Sequence, residues 1–195
     1  DALVSKGFEN IEKKKILIKD PIKSLGEHEV EIKLQHSIMS KIKVADFYYG
    51  AVLSMLFHNG VMPALVENGD DRQVYDFTTD KSECRLFIKY RANKQDTKKP
   101  DYSSWIFAIS DDKAELQKYI DEGKNLLLAL VCGSSELDKS QLAILDKSQI
   151  QDILSREKTS ITISRIKGEK AFRISVGGGR ENSIQVKCNR FEELF

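Results

Sequence analysis

Positive charge collects between Arg85 and Lys99, and basic side chains in such a run suit contact with phosphate groups. The stretch holds six cations against one acid, Asp96. Tyr102 and Trp105 follow it, and a basic loop beside aromatic rings can track a nucleic-acid backbone. An ordinary solvated charged face is the alternative. The predicted nucleic-acid-binding residues are Arg85, Arg91, Lys94, Lys98 and Lys99.

The C-terminal tail carries a second group of cations. Its members are Arg165, Lys167, Lys170, Arg173, Arg180, Lys187 and Arg190. The net charge of the whole chain is only +1, so any basic surface must be local. Gly177-Gly178-Gly179 precedes Arg180, but no Lys-Ser/Thr pair and no predicted helix follow it. The pattern therefore indicates a hairpin turn and not a nucleotide-binding phosphate loop.

Cysteine and histidine positions argue against a zinc site and against histidine catalysis. The cysteines are far apart and form no C-x-x-C pair: Cys84, Cys132 and Cys188. The histidines are equally scattered: His28, His36 and His58. We expect reduced thiols and a cytoplasmic location. The apolar run from Leu126 to Cys132 is too short to span a bilayer.

Length and composition indicate one mixed α/β domain of 195 residues, with 41% hydrophobic and 31% charged residues. We predict a core over about residues 37–132, an N-terminal hairpin over 11–34 and an antiparallel β extension over 155–195. Apolar residues from Ile38 to Leu56 recur at steps of three and four, which predicts a helix capped at Ser37 or Ser40. Gly50 inside that helix suggests close packing.

Strands are predicted after this helix, beginning with an apolar segment over residues 61–66. Pro63 makes it an edge strand or gives it a bulge. Residues 73–77, 84–90 and 104–109 follow as strands, then a short helix that ends near Gly123. Residues 125–132 form a continuous apolar run, which is typical of a strand buried on both faces.

The order of these elements resembles the αβββαβ core of the PD-(D/E)xK nuclease superfamily. The segment DRQVYDFTTDKSECRLFIKYRA, residues 71–92, carries the likeness in most detail. The resemblance implies a mixed central sheet with a restriction-endonuclease-like core. It also implies acids that hold Mg²⁺, which polarises the scissile phosphate and activates water.

Mapped onto that pattern, Asp76 matches the acid of the second strand and Lys89 the lysine of the third. Asp46 on the first helix matches a further acid, and Glu67 is a weaker substitute. The catalytic set implied is Asp76, Lys89 and Asp46, and the metal ligands implied are Asp76, Asp46 and Glu67. Phe87 replaces the acid of the acid-x-Lys triplet, so any nuclease site is degenerate. Ordinary structural roles are the alternatives: a solvent-facing Asp76, an edge Lys89 and a helix-flank Asp46.

Residues 105–145 and 186–195 also resemble proteins of bacterial restriction and phage-defence clusters. The resemblance implies a Mg²⁺-dependent endonuclease, or a degenerate DNA-binding derivative, with DNA or a defence complex as partner. The alternative function is a non-catalytic protein-interaction scaffold that keeps the fold. Convergence of Asp76, Lys89 and another carboxylate within about 6 Å would favour the enzyme. Core packing by Phe87 in that space would favour the scaffold.

Overall fold

The computed structural model describes residues 16–17, 27–32, 40–69, 71–95, 97–188 and 190–194. These residues form a mixed α+β fold. The strands are β1 (Ile16–Leu17), β2 (Glu27–Ile32), β3 (Ser40–Lys43), β4 (Ala64–Asn68), β5 (Arg72–Thr78), β6 (Glu83–Arg91), β7 (Tyr102–Ala108), β8 (Asn125–Cys132), β9 (Gln141–Leu145), β10 (Ser160–Ile166), β11 (Ala171–Ile174) and β12 (Ile184–Lys187). The helices are α1 (Val44–His58), α2 (Lys113–Asp121), α3 (Lys147–Ser155) and α4 (Arg190–Leu194).

A five-stranded sheet lies at the centre, in the order β4-β5-β6-β8-β9. β6 and β8 run parallel, and the other neighbours pair antiparallel. Leu126 to Cys132 are buried on both faces of β8, as a continuous apolar run predicts. β4 is an edge strand with an irregularity between Leu65 and Glu67, so the expectation drawn from Pro63 is confirmed.

Each face of the central sheet has its own apolar core, because successive side chains of a strand point to opposite faces. α1 covers one face, where Tyr49, Val52 and Leu56 pack with Leu86 and other sheet residues. α2, α3 and a second sheet cover the other face, and Phe87 lies there with no exposed surface.

The second sheet has four strands in the order β12-β11-β10-β7, all antiparallel. Its inner face contributes Trp105, Phe107, Ile163 and Phe172 to the core that contains Phe87. Alternation along the strands places Tyr102, Ser164 and Arg173 on the outer face. The C-terminal β extension that we predicted therefore supplies three strands of this sheet, and β7 supplies the fourth.

The N-terminal strands form a separate sheet in the order β1-β2-β3. Ile16 lies opposite Ile32, which agrees with the predicted hairpin for the part of residues 11–34 that is described. The predicted helix start was wrong: residues 40–43 form β3, and α1 begins at Val44. Ser37 lies outside the described residues.

Gly50 is exposed, and a Cβ added there would meet no atom within 4 Å. Close packing at this glycine is therefore a wrong prediction. No helix in the described part of the chain is both long and apolar enough to cross a membrane.

Candidate functional site

A charged cluster lies where β5 and β6 meet the start of α2. Its members are Glu67, Arg72, Lys89, Asp112 and Glu115. Lys89 and Asp112 are its buried centre, with 6% and 2% of their surface exposed. The Lys89 Nζ lies 2.5 Å from Asp112 Oδ2. Arg72 Nη1 donates to the other oxygen of Asp112 at 2.9 Å. Asp112 thus neutralises two cations in the interior.

Strand register explains why the two cations meet. Arg72 on β5 is the partner of Lys89 on β6, so their side chains share one face of the sheet. Asp112 is the residue before α2, and its side chain makes no helix-capping hydrogen bond. It reaches the sheet instead. The edge position that we considered for Lys89 was wrong, since β6 lies between β5 and β8.

Arg72 extends the cluster toward solvent by bridging two further acids. Its Nη2 lies 2.8 Å from Glu67 Oε1 and 2.8 Å from Glu115 Oε2. The hydrogen bond with Glu115 raises the pKa of Glu67. Burial opposes ionisation of Glu115, but hydrogen bonds from Tyr119 and Glu67 and the charge of Arg72 hold its pKa below the ordinary value. Glu67 is therefore the more readily protonated of the two acids.

Asp76 lies on the same face of the sheet as Lys89 but not in the same cluster. Its register partner is Arg85, whose Nε and Nη2 donate to its two carboxylate oxygens at 2.7 Å each. Asp76 and Lys89 are four positions apart along the sheet, which is about 13 Å. Phe87 lies between them and is fully buried. This is the core packing that we expected of a scaffold.

The other predicted metal ligands lie in different places. Asp46 is at the start of α1, on the opposite face, and accepts a hydrogen bond from the Lys43 backbone at 3.3 Å. Glu67 belongs to the charged cluster, where Arg72 holds it. Asp46, Asp76 and Glu67 therefore do not converge. In the described ranges, no group of three histidine, cysteine or carboxylate side chains is arranged to hold a metal ion.

The predicted nucleic-acid-binding residues fall into two groups. Arg85 is largely buried, paired with Asp76 and 4.4 Å above the ring of Tyr119. Arg91 donates from its Nε to the carbonyl of Ile106 at 2.7 Å. These two arginines have structural contacts. The remaining three are exposed lysines: Lys94, Lys98 and Lys99.

Sequence reasoning missed three members of the charged cluster, Arg72, Asp112 and Glu115. None of the three was assigned a functional role from the sequence. The alternation of β5 could have indicated Arg72. Arg72, Val74 and Asp76 are two residues apart in turn, so all three lie on one face of the strand. The partnership of Asp112 with Lys89 joins residues 23 positions apart, and no local signal reports it.

Comparisons with known proteins concern only the N-terminal part. A family model for the ribosomal protein L9 C-terminal domain matches residues 1–45. Large ribosomal subunit protein bL9 of Maridesulfovibrio salexigens is 46% identical over 44 residues, which are 23% of this chain and 24% of that protein. The chain thus spans about a quarter of the length of the curated relative it matches. No solved structure matches the chain significantly.

These matches contradict the nuclease resemblance. They relate the N-terminal part of the chain to a ribosomal protein and not to a PD-(D/E)xK nuclease. The expectations of an endonuclease or DNA-binding protein, of a restriction or defence system, and of DNA or a defence complex as partner were therefore wrong. The site residues and Mg²⁺ implied by that resemblance received no support from the geometry.

The Asp76–Arg85 pair gives a prediction for acid stability. The hydrogen bond from Arg85 holds the pKa of Asp76 below its ordinary value of 3.8. A carboxyl whose folded-state pKa is depressed stabilises the fold above its unfolded pKa, and that contribution is lost as pH falls through the folded pKa. We expect Asp76→Asn to destabilise the protein near pH 7 and to leave a smaller difference from the parent below pH 3.8. Urea unfolding across this pH range measures the difference in unfolding free energy between the parent and the variant. A difference that does not change with pH would contradict a stabilising role for ionised Asp76.

Proposed function

We propose that the chain associates with the large subunit of the bacterial ribosome through residues 1–45. The observation that carries this proposal is the match of those residues to the L9 C-terminal domain, together with their 46% identity to a large-subunit protein. A ribosome-bound protein works in the cytoplasm, which agrees with three free cysteines among the described residues.

The matched segment ends at Ala45, beside the junction of β3 and α1. We propose that residues 1–43 bring the chain to the ribosome and that the elements from α1 onward are carried there with it. β1, β2 and β3 pair among themselves, and β3 meets α1 along the chain. The single domain over residues 1–195 stays a prediction.

We also propose that the part from α1 onward shares the αβββαβ arrangement of restriction-endonuclease-like folds. Its element order and the parallel pairing of β6 with β8 support this likeness. The proposal concerns architecture alone, because one fold hosts many unrelated functions. The charged cluster then has a structural role in this part of the chain.

Co-sedimentation of the full chain with purified bacterial ribosomal subunits tests the proposed function. We expect binding to large subunits and not to small subunits. Lys13, Lys14 and Lys15 form a basic run inside the matched segment. A variant with all three replaced by glutamine is expected to bind about tenfold more weakly, because each lysine that meets a phosphate releases counterions.

The matched control is a triple variant of lysines outside the matched segment, at Lys118, Lys124 and Lys139. Lys118 and Lys139 make only surface ion pairs, which contribute little to stability. This control is expected to bind large subunits like the parent. Equal binding to both subunits, or equal loss in the two triple variants, would contradict a specific role for residues 1–45.

A further inference from the structure

A basic pocket lies on the outer face of the four-stranded sheet, between the loop that precedes β7 and the turn that precedes β12. Its volume is about 560 Å³. Its lining residues are Thr97, Lys98, Lys99, Tyr102, Ser164, Arg173, Ser175, Gly179, Arg180 and Ser183. The lining holds four cations and no acid. From this geometry we infer that the basic pocket binds the phosphate groups of a single-stranded RNA segment.

The lysines at one wall are available to a ligand. Lys98 and Lys99 are exposed, and neither forms an ion pair with another residue of the described ranges. The loop that carries them is anchored by its backbone, since Gln95 donates to the Ser104 carbonyl at 2.7 Å and Tyr102 donates to the Lys99 carbonyl at 3.2 Å. Both ammonium groups therefore stand on an anchored loop, and no ion pair within the described ranges has to break before they bind an anion.

The arginines of the floor are held in place and only partly satisfied. Arg180 binds Glu169 and donates to Ser164 Oγ at 3.1 Å. Arg173 Nε is buried and has no hydrogen-bond acceptor; its nearest acid, Glu169, lies 3.9 Å away. A buried donor without an acceptor costs free energy. Arg173 also lines the basic pocket, so its guanidinium presents positive charge to a bound phosphate.

The glycine run lies beside the basic pocket, and its last member, Gly179, is part of the lining. Gly177, Gly178 and Gly179 all have positive φ, at 97°, 73° and 95°. Asn182 donates to the Gly178 carbonyl at 2.7 Å, and Ser183 Oγ donates to the Arg180 carbonyl at 2.5 Å. Glycine permits close approach of backbone to a ligand. The hairpin turn predicted from these residues is confirmed, since residues 175–183 connect the antiparallel strands β11 and β12 and place Arg180 at the basic pocket.

The choice of RNA as the ligand rests on the proposed function. Phosphate is the chemistry that the four cations and the lining serines recognise, and it is also present in free phosphate and in nucleotides. An open pocket of this size with lysines along one wall suits a strand that passes through it. Tyr102 at the same wall offers a ring for a base, as in other proteins that bind single strands.

Fluorescence anisotropy with a labelled RNA of about ten nucleotides tests the inference on the full chain. We expect Lys98→Gln/Lys99→Gln to weaken binding about tenfold. The slope of log affinity against log salt should fall by about 1.4, because each phosphate contact to a single strand contributes about 0.7. Lys118→Gln/Lys139→Gln removes the same charge elsewhere and is expected to keep both the parent affinity and the parent slope.

Competition identifies the source of the phosphate. Unlabelled RNA should displace the labelled strand at micromolar concentration, whereas inorganic phosphate or a mononucleotide should require far more. Displacement by a mononucleotide as readily as by RNA would overturn the assignment to a strand. An unchanged salt slope in the Lys98/Lys99 variant would overturn the basic pocket as the site. If large-subunit binding fails while the RNA result holds, only the proposed function is lost.

Discussion

Substitution of Asp112 by asparagine is expected to lower the free energy of unfolding by about 3–5 kcal/mol. The side chain is 2% exposed and lies against both Lys89 Nζ and Arg72 Nη1. Asparagine keeps the shape but removes the charge. Buried Lys89 is then left with a neutral amide and with the exposed carboxylate of Asp71, 3.5 Å from its Nζ. Removing one partner of a buried ion pair costs more than the pair contributes, because the remaining charge stays desolvated. Urea unfolding monitored at Trp105 measures the change.

Two further variants make this prediction specific. Lys89→Met keeps an apolar stem in the core, and Asp112 then still has Arg72, so a smaller loss is expected than for Asp112→Asn. Asp152→Asn breaks the exposed pair with Arg156, whose members are each 41% exposed. Its effect is expected to stay below about 0.5 kcal/mol. A similar decrease in the free energy of unfolding for Asp112→Asn and Asp152→Asn would show that the buried cluster stabilises the fold no more than an exposed ion pair does.

Local patterns in the sequence predicted most strands because alternation and apolar runs report burial directly. The apolar run of β8 and the proline beside β4 each act over a few residues, and the structure agrees with both. The helix start failed for a physical reason. Ile38 and Ile42 continue the helical spacing of α1, but residues 40–43 pair with β2. Tertiary pairing overrode the local period.

The candidate site was less predictable than the fold. Asp76 and Lys89 do lie on one face, as the alternation of β5 and β6 requires, but a strand places them about 13 Å apart. Their actual partners are Arg85 and Asp112, and the second of these comes from another element. The strands β5 and β6 that carry the degenerate nuclease-like motif were therefore predicted correctly, but the motif did not predict which side chains interact. The ribosomal likeness lies in residues 1–45, outside the segment 71–92 that carries the nuclease-like motif.

Replacement of Gly133 by alanine is expected to destabilise the protein by ~3 kcal/mol, at the upper end of the usual cost of overpacking. A Cβ at Gly133 would lie 2.5 Å from the Ala92 carbonyl, 2.6 Å from the Arg91 carbonyl and 2.7 Å from the Tyr48 hydroxyl. Two of these atoms are backbone and cannot rotate away. Gly133 also accepts the indole hydrogen bond of Trp105 at 2.8 Å, so a shift there would disturb β7.

Gly50→Ala is the matched control, since it adds the same methyl group in the middle of α1. A Cβ there meets nothing within 4 Å, and alanine has the higher helix propensity. This variant is expected to stabilise the protein by about 0.5–1 kcal/mol. The signs differ because Gly133 lies where the ends of β6 and β8 meet β7 and α1, whereas Gly50 has open space around it and the new alanine favours the helix. A neutral Gly133→Ala would mean that these elements are not packed together as closely as their contacts with Gly133 require.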